Sequence, residues 1–230
     1  MKGKGVFVTT DASGAVAGAR MGHVVVVVDV ISMSTTLEAA LDAGAAEIFG
    51  ASPDYSGAPV ALDPEKIGWV AGMKARELGC EVALIGEPRI GTDAERLSRM
   101  TKAVQGIRKA GATICAVLPN IGAETIKIAD LRGKVVLAVT DTGGVAFDAA
   151  VTAGAQAVTV ATIARTLKYK GTEPAKKGAL RAKELAERLN TGITVVAASS
   201  NSLEDILGAE YIARSILESG RRGDTKLPCC

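Results

Sequence analysis

The sequence predicts an α/β protein: mostly parallel sheet with helices on both faces, and room for two similar α/β halves. Three observations carry this. Val24–Val28 is a run of five valines, and β-branched residues without alternation suit a strand buried on both faces, as parallel sheets require. Strand-like and helix-like segments then alternate along the whole chain. Finally, 48% of the residues are hydrophobic but only 3% aromatic, with 26 glycines, so the core must be built from Val, Ile, Leu and Ala.

The elements follow in order. Strands are expected at residues 4–9, 23–28, 46–49, 81–85, 112–118, 135–140, 157–161 and 193–198. Residues 35–43 carry Leu37, Ala40 and Leu41 at helical spacing, and a second helix is expected over about 65–78. Residues 51–64, with Ser52-Pro53-Asp54 and Ser56-Gly57-Ala58-Pro59, have the chemistry of a loop. Thr92 and Glu95 form a capping box that opens a further helix. Helices are expected at 145–153, 174–189 and 203–217, with Pro174 in a first turn where its missing N–H costs nothing. The 230 residues make a single α/β unit, with two sub-domains meeting near 110–135 as the alternative and a polar tail at 221–230.

Composition excludes several functions. A formal charge of +2, with no basic cluster interleaved with aromatics, gives no case for nucleic acid. No apolar run approaches the ~20 residues that span a bilayer, and the N-terminal residues lack a secretory pattern; a cytoplasmic protein is expected. Of the four cysteines, Cys80 and Cys115 flank strands and read as buried thiols, while Cys229 and Cys230 end the tail. Neither internal cysteine begins a Cys-x5-Arg loop, because Gly86 and Ile121 hold the arginine positions. The single histidine, His23, cannot form a two-histidine metal site. Asp29-Val30-Ile31 lacks the second acid of an Asp-x-Asp site, and neither a Gly-x4-Gly-Lys phosphate loop nor a Gly-x-Gly-x-x-Gly fingerprint is present.

Four polar loops follow predicted strands: residues 29–36, the loop with Glu87 and Arg89, residues 140–144, and residues 199–205. If the strands are parallel, these loops share one sheet edge, where open α/β sheets bind ligands. That edge carries Asp29, Glu87, Asp141, Glu204 and Asp205 against Arg89 and many hydroxyls. A carboxylate facing a helix N-terminus suits phosphate with magnesium. Asp29 has a second reading as a turn residue, with Thr35 and Glu38 as a capping box. Ser202 with Asp205, and Gly143-Gly144, have equally local explanations as a cap and a turn.

On these blocks the chain resembles the 2-phosphosulfolactate phosphatase family, magnesium-dependent enzymes of coenzyme M biosynthesis. Asp29-Val30-Ile31-Ser32-Met33-Ser34-Thr35-Thr36 is similar to the family's Asp-Val-Leu-Arg-Ala-Ser-Thr-Thr. Gly86-Glu87 resembles the start of its Gly-Glu-Arg-Gly-Gly loop, with Arg89 shifted out of register. Asn120 and Glu124 fall at its Gly-Asn-Ser-Pro and a following acid. Residues 140–144 fall at its Thr-Thr-Asn-Gly-Thr turn, and Ser202-Leu203-Glu204-Asp205 at its Ser-x-Glu-Asp helix start. The departures are Ser32 in place of arginine, Pro88 after Glu87, and Asp141, Thr142 and Val145 where an Asn and an Arg are lost. Fewer guanidiniums imply weaker recognition of a multiply anionic substrate. Arg165 has two readings, as a replacement for one lost guanidinium and as a surface arginine.

The resemblance implies hydrolysis of a small phosphate monoester, 2-phosphosulfolactate or a related phosphorylated acid, by a homo-oligomer. Asp29, Glu87 and Asp141 are the expected catalytic acids. Ser32, Ser34, Thr35, Arg89, Asn120, Thr140 and Thr142 are expected to bind substrate. Asp29, Glu204 and Asp205 are expected to hold Mg2+. Attack by water and attack by Asp29 both remain open. The alternative is a non-catalytic homologue that binds an anionic metabolite or a protein partner.

Overall fold

The structure is a computed structural model that describes residues 5–219. Cys229, Cys230 and the tail expected at 221–230 lie outside the described residues. The chain runs β1 (Val6–Thr10), α1 (Asp11–Arg20), β2 (Val24–Val28), α2 (Met33–Asp42), β3 (Glu47–Ala51), α3 (Pro64–Glu77), β4 (Val82–Gly86), α4 (Asp93–Leu97), α5 (Thr101–Lys109) and β5 (Ile114–Pro119). A 3-10 turn (Gly122–Lys127), β6 (Val135–Val139), α6 (Gly143–Thr152), β7 (Val158–Val160), α7 (Glu173–Leu189), β8 (Ile193–Ala197) and α8 (Leu203–Ser219) complete it.

The strands form two four-stranded sheets, each wholly parallel, in the orders β1-β8-β2-β7 and β3-β6-β4-β5. The fold is therefore α/β with two halves, but the halves are nested. The chain starts the first sheet with β1 and β2, builds all of the second from β3 to β6, and returns with β7 and β8. Residues 110–135, expected as a meeting point of sub-domains, lie inside the second sheet; the crossings fall between β2 and β3 and between β6 and β7.

The valine run shows why both faces of a strand can be apolar. Val25 and Val27 point inward, with Val196, onto Met33, Leu37, Ala146 and Phe147 of α2 and α6; Val136, Ala138 and Ile85 close on the same residues from the second sheet. Val24, Val26 and Val28 point outward onto Ala175, Ala179 and Ala182 of α7 and Ala209 and Ile212 of α8. All five valines are fully buried, each contributing about 1.5–3 kcal/mol. On the far side, Val82, Leu84, Val135 and Leu137 pack against Ile67 and Ala71 of α3 and Ala103 and Ile107 of α5. The layers thus alternate helix, sheet, helix, sheet, helix. A Cβ on Gly68 would strike the backbone of Ala103, and one on Gly106 the backbone of Glu65, so α3 and α5 approach closely only because glycines stand there.

Several local expectations change. Helix α1 carries no amphipathic signal because its buried residues are only Ala12, Gly14, Ala15, Gly18 and Ala19. The Thr92–Glu95 capping box forms as expected, but its helix stops at Leu97 and a separate one restarts at Thr101. Cys80 is half-buried and Cys115 exposed, not buried as expected; Cys115 sits where the β4–β5 register shifts between Ile114 and Ala116. His23 accepts or donates a 2.9 Å hydrogen bond at Thr194 Oγ1 and stacks on Phe7. Among the described residues, no helix is long and apolar enough to cross a membrane.

Candidate functional site

The loops leaving the carboxyl ends of β2, β4, β5 and β6 meet between the two sheets around a cleft of about 380 Å3. Asp29 follows β2 directly and is buried. Its Oδ2 accepts hydrogen bonds from Gly143 N at 3.0 Å and Thr142 Oγ1 at 3.2 Å, and its carboxylate also accepts from the backbone of Met33. Met33 and Gly143 are the first residues of α2 and α6, so two helix N-termini point at one carboxyl group. Their dipoles favour its charge. Burial opposes that charge, and so does Asp205 nearby; together they raise the Asp29 pKa to about 6.

Glu87, directly after β4, receives Asn120 Nδ2 at 3.2 Å, while Thr36 Oγ1 donates to Asn120 Oδ1 at 2.7 Å. The Asn120 amide is thereby oriented from α2 and holds Glu87 in turn. Arg89 Nε lies 3.7 Å from Glu87, and Arg89 Nη2 donates to Ser32 Oγ at 3.4 Å. The guanidinium of Arg89 therefore rests against Ser32.

Asp141 follows β6 at the mouth of the cleft and accepts from Tyr55 Oη at 3.0 Å. The guanidinium of Arg99 stands 5.9 Å from the centre of the Tyr55 ring, and Arg99 also lines the cleft. Burial raises the Tyr55 pKa, and Asp141 adds to that. Thr140 lines the cleft, but its Oγ1 accepts from Gly144 N at 2.8 Å and so caps α6.

Asp29, Ser32, Glu87, Arg89, Asn120, Thr140, Asp141 and Thr142 thus come together between the two sheets, while the loop at 199–205, expected on the same edge, does not line this cleft. Ser34 and Thr35 do not line the cleft. Ser34 Oγ accepts from Asp29 N and donates to Val27 O, both at 2.9 Å. Thr35 Oγ1 donates to Val30 O at 2.7 Å and pairs with Thr162. Both hydroxyls brace the chain between β2 and α2, so their expected substrate role is corrected. The Thr35–Glu38 capping box is also absent: α2 begins at Met33, and Glu38 is buried in an ion pair with Arg181.

The expected metal set divides as well. Asp205 is buried, and its Oδ1 accepts from Val30 N at 2.8 Å, with burial raising its pKa. Glu204, one residue earlier on α8, is exposed to solvent. Among the described residues no three His, Cys, Asp or Glu groups cluster to hold a metal. Arg165 is an exposed partner of Glu124 at 2.7 Å.

Sequence reasoning missed Tyr55, Arg99 and Thr36. Tyr55 lies in the loop after β3, whose carboxyl end faces the same way as the others in its sheet. The parallel-strand argument that selected the other loops would have selected this one. Arg99 lies between α4 and α5 and has no periodicity to mark it. The cleft sets three carboxylates, Asp29, Glu87 and Asp141, against two guanidiniums, Arg89 and Arg99. It can therefore take a cation, or an anion together with a cation, more readily than an anion alone. Compared with known proteins, the chain matches no family model and no curated protein.

Proposed function

We propose that this cleft hydrolyses a small phosphate monoester of an organic acid, with a divalent cation, in the manner of the 2-phosphosulfolactate phosphatases that the sequence resembles. The supporting observation is the convergence of acids and guanidiniums from four separate loops on one cleft at the carboxyl ends of parallel strands. The reading carries with it Mg2+ as cofactor, 2-phosphosulfolactate or a related phosphorylated acid as substrate, and a cytoplasmic role in coenzyme M biosynthesis.

The residues fit magnesium of the kind held by one or two carboxylates and substrate oxygens. They do not fit a three-carboxylate cage, because Glu204 stays outside. Asp29 is the residue that would hold the ion, with Asp205 adding negative charge behind it. When bound, magnesium would neutralise charge on the phosphoryl group.

The chain's own residues would do the rest. Arg89 and Arg99 would bind phosphoryl and acid oxygens as charge-assisted donors. Glu87, fixed by Asn120 at 3.2 Å, would orient the attacking water and take its proton. Asp141, tied to Tyr55, would limit the mouth and keep bulky esters out. A screen of small phosphoesters with magnesium, 2-phosphosulfolactate included, tests this directly. Turnover that disappears in Glu87→Gln supports it, and inactivity on every ester rejects it. The non-catalytic alternative draws on one observation: the Ser34 and Thr35 hydroxyls and the Gly143 N–H all donate within the protein, leaving few neutral donors for a transition state.

A further inference from the structure

Helix α3 carries more apolar surface than its packing on the second sheet uses. Ile67, Ala71 and Ala75 face that sheet and α5. A second stripe, Trp69, Val70 and Met73, faces a groove beside edge strand β3 and is continued by Lys74 and Glu77. Trp69 is 47% exposed and Met73 40%, although a solvated helix face is ordinarily polar. This stripe is one wall of a groove of about 710 Å3. Phe147 and Val151 of α6 form its floor, and Arg181, Leu185 and Arg188 of α7 its other wall. Phe49 of β3 and Val158 of β7 also reach it, and each belongs to the last strand of its sheet. Both sheets therefore end at one apolar groove, and such edges are ordinarily covered.

We propose that a second copy of this chain covers the groove, the two copies being related by a two-fold axis with their α3 helices antiparallel. The charges favour self-pairing over a foreign partner. Lys74 and Glu77 lie side by side on α3, 3.1 Å apart, and a two-fold axis between antiparallel helices sets Lys74 of one copy against Glu77 of the other, twice over. Glu47 and Arg188, also in the groove, balance each other in sign, and Arg181 is already paired with Glu38. No net charge remains to select an acidic or basic partner. A specific small ligand is disfavoured too, because among the described residues no buried side-chain polar atom lacks a hydrogen-bond partner. The groove has apolar area to bury and no polar group in need of a ligand.

Trp69 is the only tryptophan in the chain, so tryptophan emission reports on this wall of the groove. Sedimentation equilibrium and tryptophan emission are to be followed together across a dilution series of the full chain. The expected result is a dimer whose emission moves to longer wavelength as it dissociates. Trp69→Lys and Met73→Glu, folded by circular dichroism, should each weaken self-association by roughly 30-fold or more, as loss of a central anchor does. Leu180→Lys, on an exposed position of α7 that does not line the groove, should leave the dimer intact. A monomer at every concentration, or a dimer that persists in both groove variants, overturns the proposal.

Discussion

Asp29 Oδ2 accepts a 3.0 Å hydrogen bond from the backbone N–H of Gly143, and this bond joins the two sheets. Asp29 leaves β2 of the first sheet, and Gly143 opens the helix that follows β6 of the second. The carboxyl ends of both sheets are thus held in register by a group that also lines the cleft. Structural and chemical readings of Asp29 are not rivals here, because the same oxygen atom sits at the helix end and at the site.

Gly143 should not tolerate a side chain. A Cβ there would overlap Asp29 Oδ2, and would stand 2.8 Å from Asp29 Cβ and 2.9 Å from Met33 Cε. Alanine ordinarily favours a helix over glycine by about 1 kcal/mol, yet Gly143→Ala should destabilise the protein by about 1–3 kcal/mol through overpacking. Urea unfolding checks the sign; a more stable variant would show that α6 can move away from Asp29.

Ser34 and Thr35 should matter for stability and not for anions. Ser34→Ala leaves the buried N–H of Asp29 without its 2.9 Å acceptor, at a cost of about 1–3 kcal/mol. Thr35→Val removes the donor to Val30 O, with a loss of similar size. Calorimetric binding of inorganic phosphate should stay within twofold of wild type in both, on the order of 0.4 kcal/mol. Loss of phosphate binding with unchanged melting would return these hydroxyls to the site.

Ser34 and Thr35 also mark where sequence reasoning stops. That a hydroxyl cluster follows a buried strand is visible in the sequence; which face of α2 each hydroxyl presents depends on packing against Val27, Val30 and Thr162. The runs at residues 24–28 and 135–139 were readable as strands because apolar side chains are needed on both faces. Their assignment to different sheets was not readable, since strand order arises from long-range pairing such as β1 with β8. That Asp29, Glu87 and Asp141 each end a strand on the same side followed from parallel strands, and Asn120 entered through the resemblance; their meeting in one cleft depends on how the two sheets face each other, which the sequence does not show. Arg99 escaped because loop residues carry no period, and only the Tyr55 ring shows where its charge stands.

Arg99 should bind anions without supporting the fold. It is exposed, and its side chain reaches the cleft beside Tyr55. Arg99→Met keeps the length and removes the charge, so phosphate affinity measured with magnesium should fall about tenfold, with the melting temperature nearly unchanged. Unaltered affinity would remove Arg99 from the site.

Asp29→Asn separates charge from shape and can be followed by pH. Burial, with Asp205 beside it, raises the Asp29 pKa from 3.8 to about 6. A carboxyl group raised on folding contributes its stability in full below its unfolded pKa and loses it as pH climbs to the folded value. Between about pH 4 and pH 6, with chelator present, wild type should therefore lose about 3 kcal/mol that the asparagine variant does not. The variant gains on wild type as pH rises, the opposite of a salt-bridged aspartate. Activity should move the other way, because the proposed chemistry needs the ionised group: wild-type turnover with magnesium should rise with pH at a midpoint below the metal-free value of about 6, since a bound cation favours the carboxylate, and Asp29→Asn should cost about 100-fold or more. A variant that shows the altered stability slope while keeping wild-type turnover would confine Asp29 to joining the two sheets, and would leave the chemistry to Glu87 and Asp141, the other carboxylates that line the cleft.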